Sequence, residues 1–244
     1  MALRFHIGSV PVQVEPSFLF TTLAFNYGLA LRDVRLFAAW TGVVFLSVLA
    51  HELGHAGMGL AFGLVPQIQL HGLGGTTSWS EGKSVSWGKR VAISLAGPAA
   101  GMATGGAVVA LGAAGIFPQL AWSTMPGVGD ALLGRVEATT LGEAAYLWLL
   151  WVNFGWGLLN LLPMLPLDGG SAMTSALQAV TGGKGERPAR LVSLAVAILA
   201  LGASALARQL WPALLSLWFL AMNWRALRDL HARELELRAS LREL

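Results

Sequence analysis

The 244-residue chain has no cysteine and little charge, with Asp, Glu, Lys and Arg together making up 12%. Without cysteine there can be no disulfide, thiolate metal site or thiol nucleophile, so a metal ion would have to be held by nitrogen and oxygen. The scarcity of charge argues against a soluble domain, which carries about 25% charged residues to cover its surface. A removable signal peptide is not in evidence: residues 1–15 hold one arginine and no apolar core leading to a small-residue cleavage site. The net charge of +3 calls for no nucleic-acid partner, because the basic residues are accounted for as topology determinants and contacts to anionic lipid.

What is present is apolar. Hydrophobic residues make up 55% of the chain and gather into runs at 17–31, 36–62, 91–117, 141–162, 191–207 and 210–224. A helix needs about 20 residues to span a hydrocarbon core. The expected fold is therefore an all-α polytopic membrane protein with about six transmembrane helices, in which the first run and the last two are short. Residues 1–224 read as a single transmembrane domain and 225–244 as a charged tail helix with an imperfect leucine face. With the N-terminus inside, twelve basic residues fall on the cytoplasmic side: Arg4, Lys83, Lys89, Arg90, Lys184, Arg187, Arg190, Arg225, Arg228, Arg233, Arg238 and Arg242. Four fall on the other: Arg32, Arg35, Arg135 and Arg208. That bias puts both termini in the cytoplasm.

Two stretches alternate apolar and polar side chains, 4–14 and the start of 65–79, the latter running into glycines. They read as strands of a small hairpin or sheet at the cytoplasmic face. This is either a structural cover over the helix ends or an edge strand that pairs with an extended substrate. His71 in this loop reads as a solvated side chain or a ligand. The spacing of Gly97, Gly101 and Gly105 reads as close helix packing.

The chemistry is concentrated in the second run, where His51-Glu52-Leu53-Gly54-His55 is embedded. Histidines four apart stand one helical turn apart on one face, where both imidazoles reach a single ion and the glutamate between them can serve as general base. Ionisable groups at bilayer depth are costly and mark function. In the fourth run come Asn153 and then Asn160-Leu-Leu-Pro163-Met-Leu-Pro166-Leu-Asp168-Gly169-Gly170. The prolines remove backbone donors, and the paired glycines read as positive-angle positions that present Asp168 on irregular backbone. An ordinary helix end with an interfacial aspartate is the plainer reading.

The two motifs together resemble the site-2 protease family of intramembrane metalloproteases, and Ala96-Gly97-Pro98 is similar to that family as well. The resemblance implies one zinc ion per chain, with His51, His55 and Asp168 as ligands and Glu52 as the base. It also implies a role for Asn160 in steadying the tetrahedral intermediate, beside which an interhelical structural bond stands as the alternative. It further implies transmembrane protein substrates, regulatory membrane proteins as partners and, with the compact length, a prokaryotic inner membrane. No inserted segment is large enough for a PDZ domain, and no cystathionine-synthase-type domain follows, which points to a minimal core enzyme. Substrates are expected to carry helix-weakening residues near the cut. Two rival functions are a membrane metal-ion transporter, which would not need Glu52 between the histidines, and an inactive binding homologue, which would have lost a ligand or the base. The oligomeric state stays open.

Overall fold

The computed structural model describes residues 2–25, 33–80, 84–115 and 140–241. The end of the first apolar run, with Asn26, and the basic residues Arg32, Lys83, Arg135 and Arg242 lie outside the described residues. The chain forms two compact units, one of Met1–Val85 and Leu95–Leu159, the other of Ser86–Ser94 and Asn160–Leu244.

In the first unit, the alternating stretches form a four-stranded sheet in the order β1 (Leu3–Ile7), β2 (Val10–Val14), β3 (Pro66–His71) and β4 (Gly74–Trp79). The outer pairs are antiparallel, whereas β2 and β3 run parallel with Val12 opposite Ile68. Period-two alternation gives the sheet two faces. Val10, Val12, Val14, Ile68 and Leu70 are buried against Phe18, Leu49 and Ala56, while Gln67 and Gln69 are exposed. Phe18 belongs to α1 (Pro16–Phe25), and Leu49 and Ala56 to α2 (Val34–Ala61).

At 28 residues α2 is about 42 Å long, more than the roughly 30 Å of a hydrocarbon core. It starts at Asp33, whose carboxylate accepts the Arg35 N–H at 2.8 Å and binds the Arg35 guanidinium. Those bonds hold the Asp33 carboxyl below its ordinary value. The helix α3 (Trp87–Ala113) passes through Pro98 without a break. The helix α4 (Leu141–Leu150) opens with a reciprocal capping box between Thr140 and Glu143, which satisfies backbone donors of its first turn. A π-helical turn, Trp151–Gly155, joins α4 to α5 (Trp156–Asn160). The fourth apolar run is thus helical but not a uniform α-helix.

In the second unit, α6 (Asp168–Val180) precedes α7 (Glu186–Leu206) and α8 (Leu210–Ser240). An ion pair at 3.3 Å between Arg187, early in α7, and Glu234, late in α8, shows the two helices lying antiparallel around a core of Met164, Ala197 and Phe219. The sixth run and the charged tail are continuous in one helix of 31 residues, with no break at 224.

Among the described residues, Val34–Ala61, Trp87–Ala113 and Glu186–Leu206 are long and apolar enough to cross a membrane. Their outer surfaces carry large apolar side chains such as Leu46 and Leu199, which suit lipid and would be a liability in water. The molecule is a mostly helical membrane protein with a small four-stranded sheet.

Candidate metal centre and catalytic site

His51, Glu52 and His55 lie on the inward side of α2 and are at most 9% exposed. Their rings meet edge to face, which brings the two Nε2 atoms 3.2 Å apart. Two nitrogens bound to one tetrahedral zinc at about 2.05 Å stand roughly 3.3 Å from each other. The pair is therefore spaced as ligands of one ion, and imidazole nitrogen is a donor that zinc accepts.

Room for these rings comes from α3. A Cβ added at Gly97 would lie 2.2 Å from His55 Nε2 and 2.7 Å from His51 Nε2. The two helices also approach at Gly54, where a Cβ would fall 2.4 Å from the Ala96 carbonyl oxygen. Of the three spaced glycines, Gly105 makes way for the Phe154 ring, whereas Gly101 has ordinary clearance with Asn153 O at 3.6 Å from the added Cβ. The expected close packing is present, and Gly97 additionally shapes the site.

Asn153 sits in the π turn, buried to 2% exposure. Its Nδ2 donates to Ser47 Oγ and to the Leu149 carbonyl, both at 2.9 Å. Ser47 lies one turn before His51, so the amide ties the π turn to the histidine-bearing face of α2. A π bulge shifts the helical register locally and often occurs at functional sites. Sequence reading singled out Asn153 but had no means of finding Ser47 as its partner.

Glu52 faces the hairpin. Thr77 Oγ1 donates to Glu52 Oε2 at 2.6 Å, and a Cβ at Gly75 would strike the Glu52 side chain at 2.5 Å. Trp79 is seated on Gly59 so closely that a Cβ there would be 2.1 Å from its ring. Thr77 was not recognised from sequence; the glycines of residues 72–75 were the available signal, and they read as turn formers. His71 turns out to bond within the hairpin, to Thr76 Oγ1 at 2.9 Å and from the Leu73 N–H at 3.2 Å.

Asp168 and Asn160 belong to the second unit. Asp168 is the first residue of α6, behind an extended Leu167, and Asn160 is the last residue of α5 and half-buried. The expectation of irregular backbone at the aspartate and positive angles at the glycines is corrected here, since Gly169 and Gly170 are both helical and neither has a positive φ. They are small because the preceding loop is in the way: a Cβ would come 2.1 Å from the Leu161 carbonyl oxygen at Gly169 and 2.4 Å from Leu165 N at Gly170. A carboxylate in the first turn is favoured by the positive end of the helix dipole. The loop is held by the Leu165 N–H donating to Ser193 Oγ at 3.0 Å and by Asn223 Nδ2 donating to the Leu165 carbonyl at 2.7 Å.

Residues 39–203 match the family model described as peptidase family M50. A protein of Synechocystis sp. designated a candidate zinc metalloprotease is 31% identical over 188 residues, covering 71% of this chain. The match spans 43% of that relative's length. The structure is similar to that of the site-2 protease from Methanocaldococcus jannaschii, with a TM-score of 0.58 and 22% identity, covering 93% of this chain and 95% of the other.

Proposed function

The chain belongs to peptidase family M50, and from that premise we propose that it is an intramembrane zinc endopeptidase hydrolysing peptide bonds within or next to transmembrane segments of membrane-protein substrates. The observation that carries this is the paired Nε2 atoms of His51 and His55, 3.2 Å apart and buried in a membrane-length helix with Glu52 between them. Asp168 is the proposed third ligand. It is supported by its chemistry, a carboxylate at the head of α6 that completes a nitrogen and oxygen donor set in a chain without cysteine.

When bound, the ion supplies Lewis-acid chemistry, acidifying water and polarising the scissile carbonyl. Glu52 accepts a proton from the attacking water as its oxygen joins the carbonyl carbon, and returns a proton to the nitrogen as the C–N bond breaks. The Asn160 amide is proposed to steady the oxyanion. A peptide bond in an intact helix is shielded by its own hydrogen bonds, so the substrate must be drawn out into extended form. The outer edge of β4, which pairs with no further strand among the described residues, supplies backbone groups for holding it.

For topology we propose about six crossings, both termini in the cytoplasm and a prokaryotic inner membrane, with regulatory membrane proteins as partners. The parallel pairing of β2 with β3 supports the first two crossings.

The test is zinc content together with cleavage of a synthetic transmembrane peptide whose helix is interrupted by glycine. About one zinc per chain is expected, falling sharply in His51→Ala and Asp168→Ala. Glu52→Gln should keep its zinc and lose cleavage by at least about a hundredfold. Zinc undiminished without Asp168 would remove that ligand, and metal uptake without proteolysis by the parent chain would favour a transporter.

A further inference from the structure

Thr77 is used by neither the metal site nor the proposed cleavage step, yet it touches the group that the chemistry depends on. Its Oγ1 lies 2.6 Å from Glu52 Oε2 and 3.2 Å from the Glu52 backbone oxygen. A hydroxyl has one proton, and the shorter contact, in the range of a charge-assisted O–H···O bond, takes it. Glu52 is 5% exposed and lies against Gly75, where no side chain would fit. The carboxylate is thus confined on both sides, with Oε1 against the bare backbone of β4 at Gly75 and Oε2 fixed by the Thr77 hydroxyl.

The position of Thr77 on the strand gives this bond a second meaning. The Ser80 N–H donates to the Val65 carbonyl at 3.1 Å, and Ser78 and Thr76 stand opposite Gln67 and Gln69. In an antiparallel ladder, hydrogen-bonded and non-bonded pairs alternate. Gly75, Thr77 and Trp79 therefore direct their backbone N–H and C=O toward the outer edge of β4, which pairs with no further strand among the described residues, and the same residues meet α2 through their side chains or, at Gly75, its lack of one. We infer that Thr77 is a positioning residue that couples the edge strand to the base: its backbone faces an extended peptide added to β4 while its hydroxyl holds Glu52 in the rotamer that serves that peptide. This rests on the reading of Glu52 as the base.

The experiment compares the parent chain with Thr77→Val, Thr77→Ser and Glu52→Gln, reconstituted with zinc and assayed on the glycine-interrupted transmembrane peptide. Valine keeps the shape and the backbone of β4 but loses the hydroxyl. Thr77→Val should lower kcat at least about tenfold with KM within about twofold and zinc content unchanged, and Thr77→Ser should recover most of the rate. Parental rates in Thr77→Val with Glu52→Gln inactive would overturn the positioning role and leave the base intact. Loss of zinc in Thr77→Val, or failure of serine to rescue, would make the residue structural and also overturn the inference. Activity in Glu52→Gln would remove the base reading itself, and the inference with it.

Discussion

At the residue scale, the site depends on what is missing from three positions as much as on what is present. Gly97, Gly75 and Gly54 each stand where a single methyl would collide with a site residue or the facing helix. Gly97 offers the sharpest contrast, because Gly101, one turn further along α3, has ordinary clearance. Gly97→Ala is expected to push the histidine rings apart and to lower zinc affinity at least about tenfold, comparable to losing an outer-shell partner. Gly101→Ala should retain parental zinc, since its methyl meets nothing closer than 3.6 Å. Zinc titration of both purified variants checks this, and equal affinity would mean that α3 yields more readily than its backbone packing implies. The histidines and Glu52 were legible in the sequence because their mutual geometry follows from helical spacing alone. Thr77 and Ser47 were not, because each meets its partner through tertiary folding, 25 residues away for Thr77 and 106 for Ser47.

At the element scale, the irregular parts of the chain are held by side chains on the regular ones. The Pro-rich turn before α6 has no ladder of its own, so Leu165 bonds through its N–H to Ser193 of α7 and through its carbonyl to Asn223 of α8. Asn223 is fully buried, also donates to the Phe219 carbonyl at 2.9 Å, and accepts from Arg190 Nη1 at 3.2 Å. Asn223→Leu would keep the volume and strip both roles, leaving the Leu165 carbonyl and the Arg190 guanidinium short of a partner. A buried unmet polar group costs about 1–3 kcal/mol, so thermal unfolding in detergent should begin at a clearly lower temperature. An unchanged midpoint would show that water replaces the amide. The long helices and alternating strands were readable because their patterns repeat. The π turn and α6 were not: one extra residue in a helical turn leaves apolar composition unchanged, and Asp-Gly-Gly reads as a turn until the loop against which the glycines pack is known. The continuity of α8 through residue 224 leaves no mark in the sequence, because the change from apolar to charged residues marks a change of solvent, not of backbone.

At the scale of the whole molecule, the sheet and the long helices constrain how the chain threads the bilayer. Because β2 and β3 pair in one sheet, the proposed topology places both on one side of the membrane and requires an even number of crossings between them. The 31 residues of α8 extend about 46 Å, beyond the roughly 30 Å of hydrocarbon, so if α8 makes the proposed crossing its arginine-rich end emerges. With twelve basic residues against four, the proposed topology puts that end in the cytoplasm. The absence of cysteine makes this directly measurable, since any introduced thiol is the only one in the chain. Gln67 on the outer face of β3, His231 in the charged part of α8 and Gln209 between α7 and α8 are all exposed. Cysteine at Gln67 or His231 is expected to react with a membrane-impermeant maleimide only in inside-out vesicles, and cysteine at Gln209 only in right-side-out ones. If the label at Gln209 appeared on the same side as that at His231, α8 would not cross, and the six-helix thread would give way to a re-entrant pair. If Gln67 and His231 reported opposite sides, the chain between them would cross an odd number of times, and the assignment of both termini to the cytoplasm would fail.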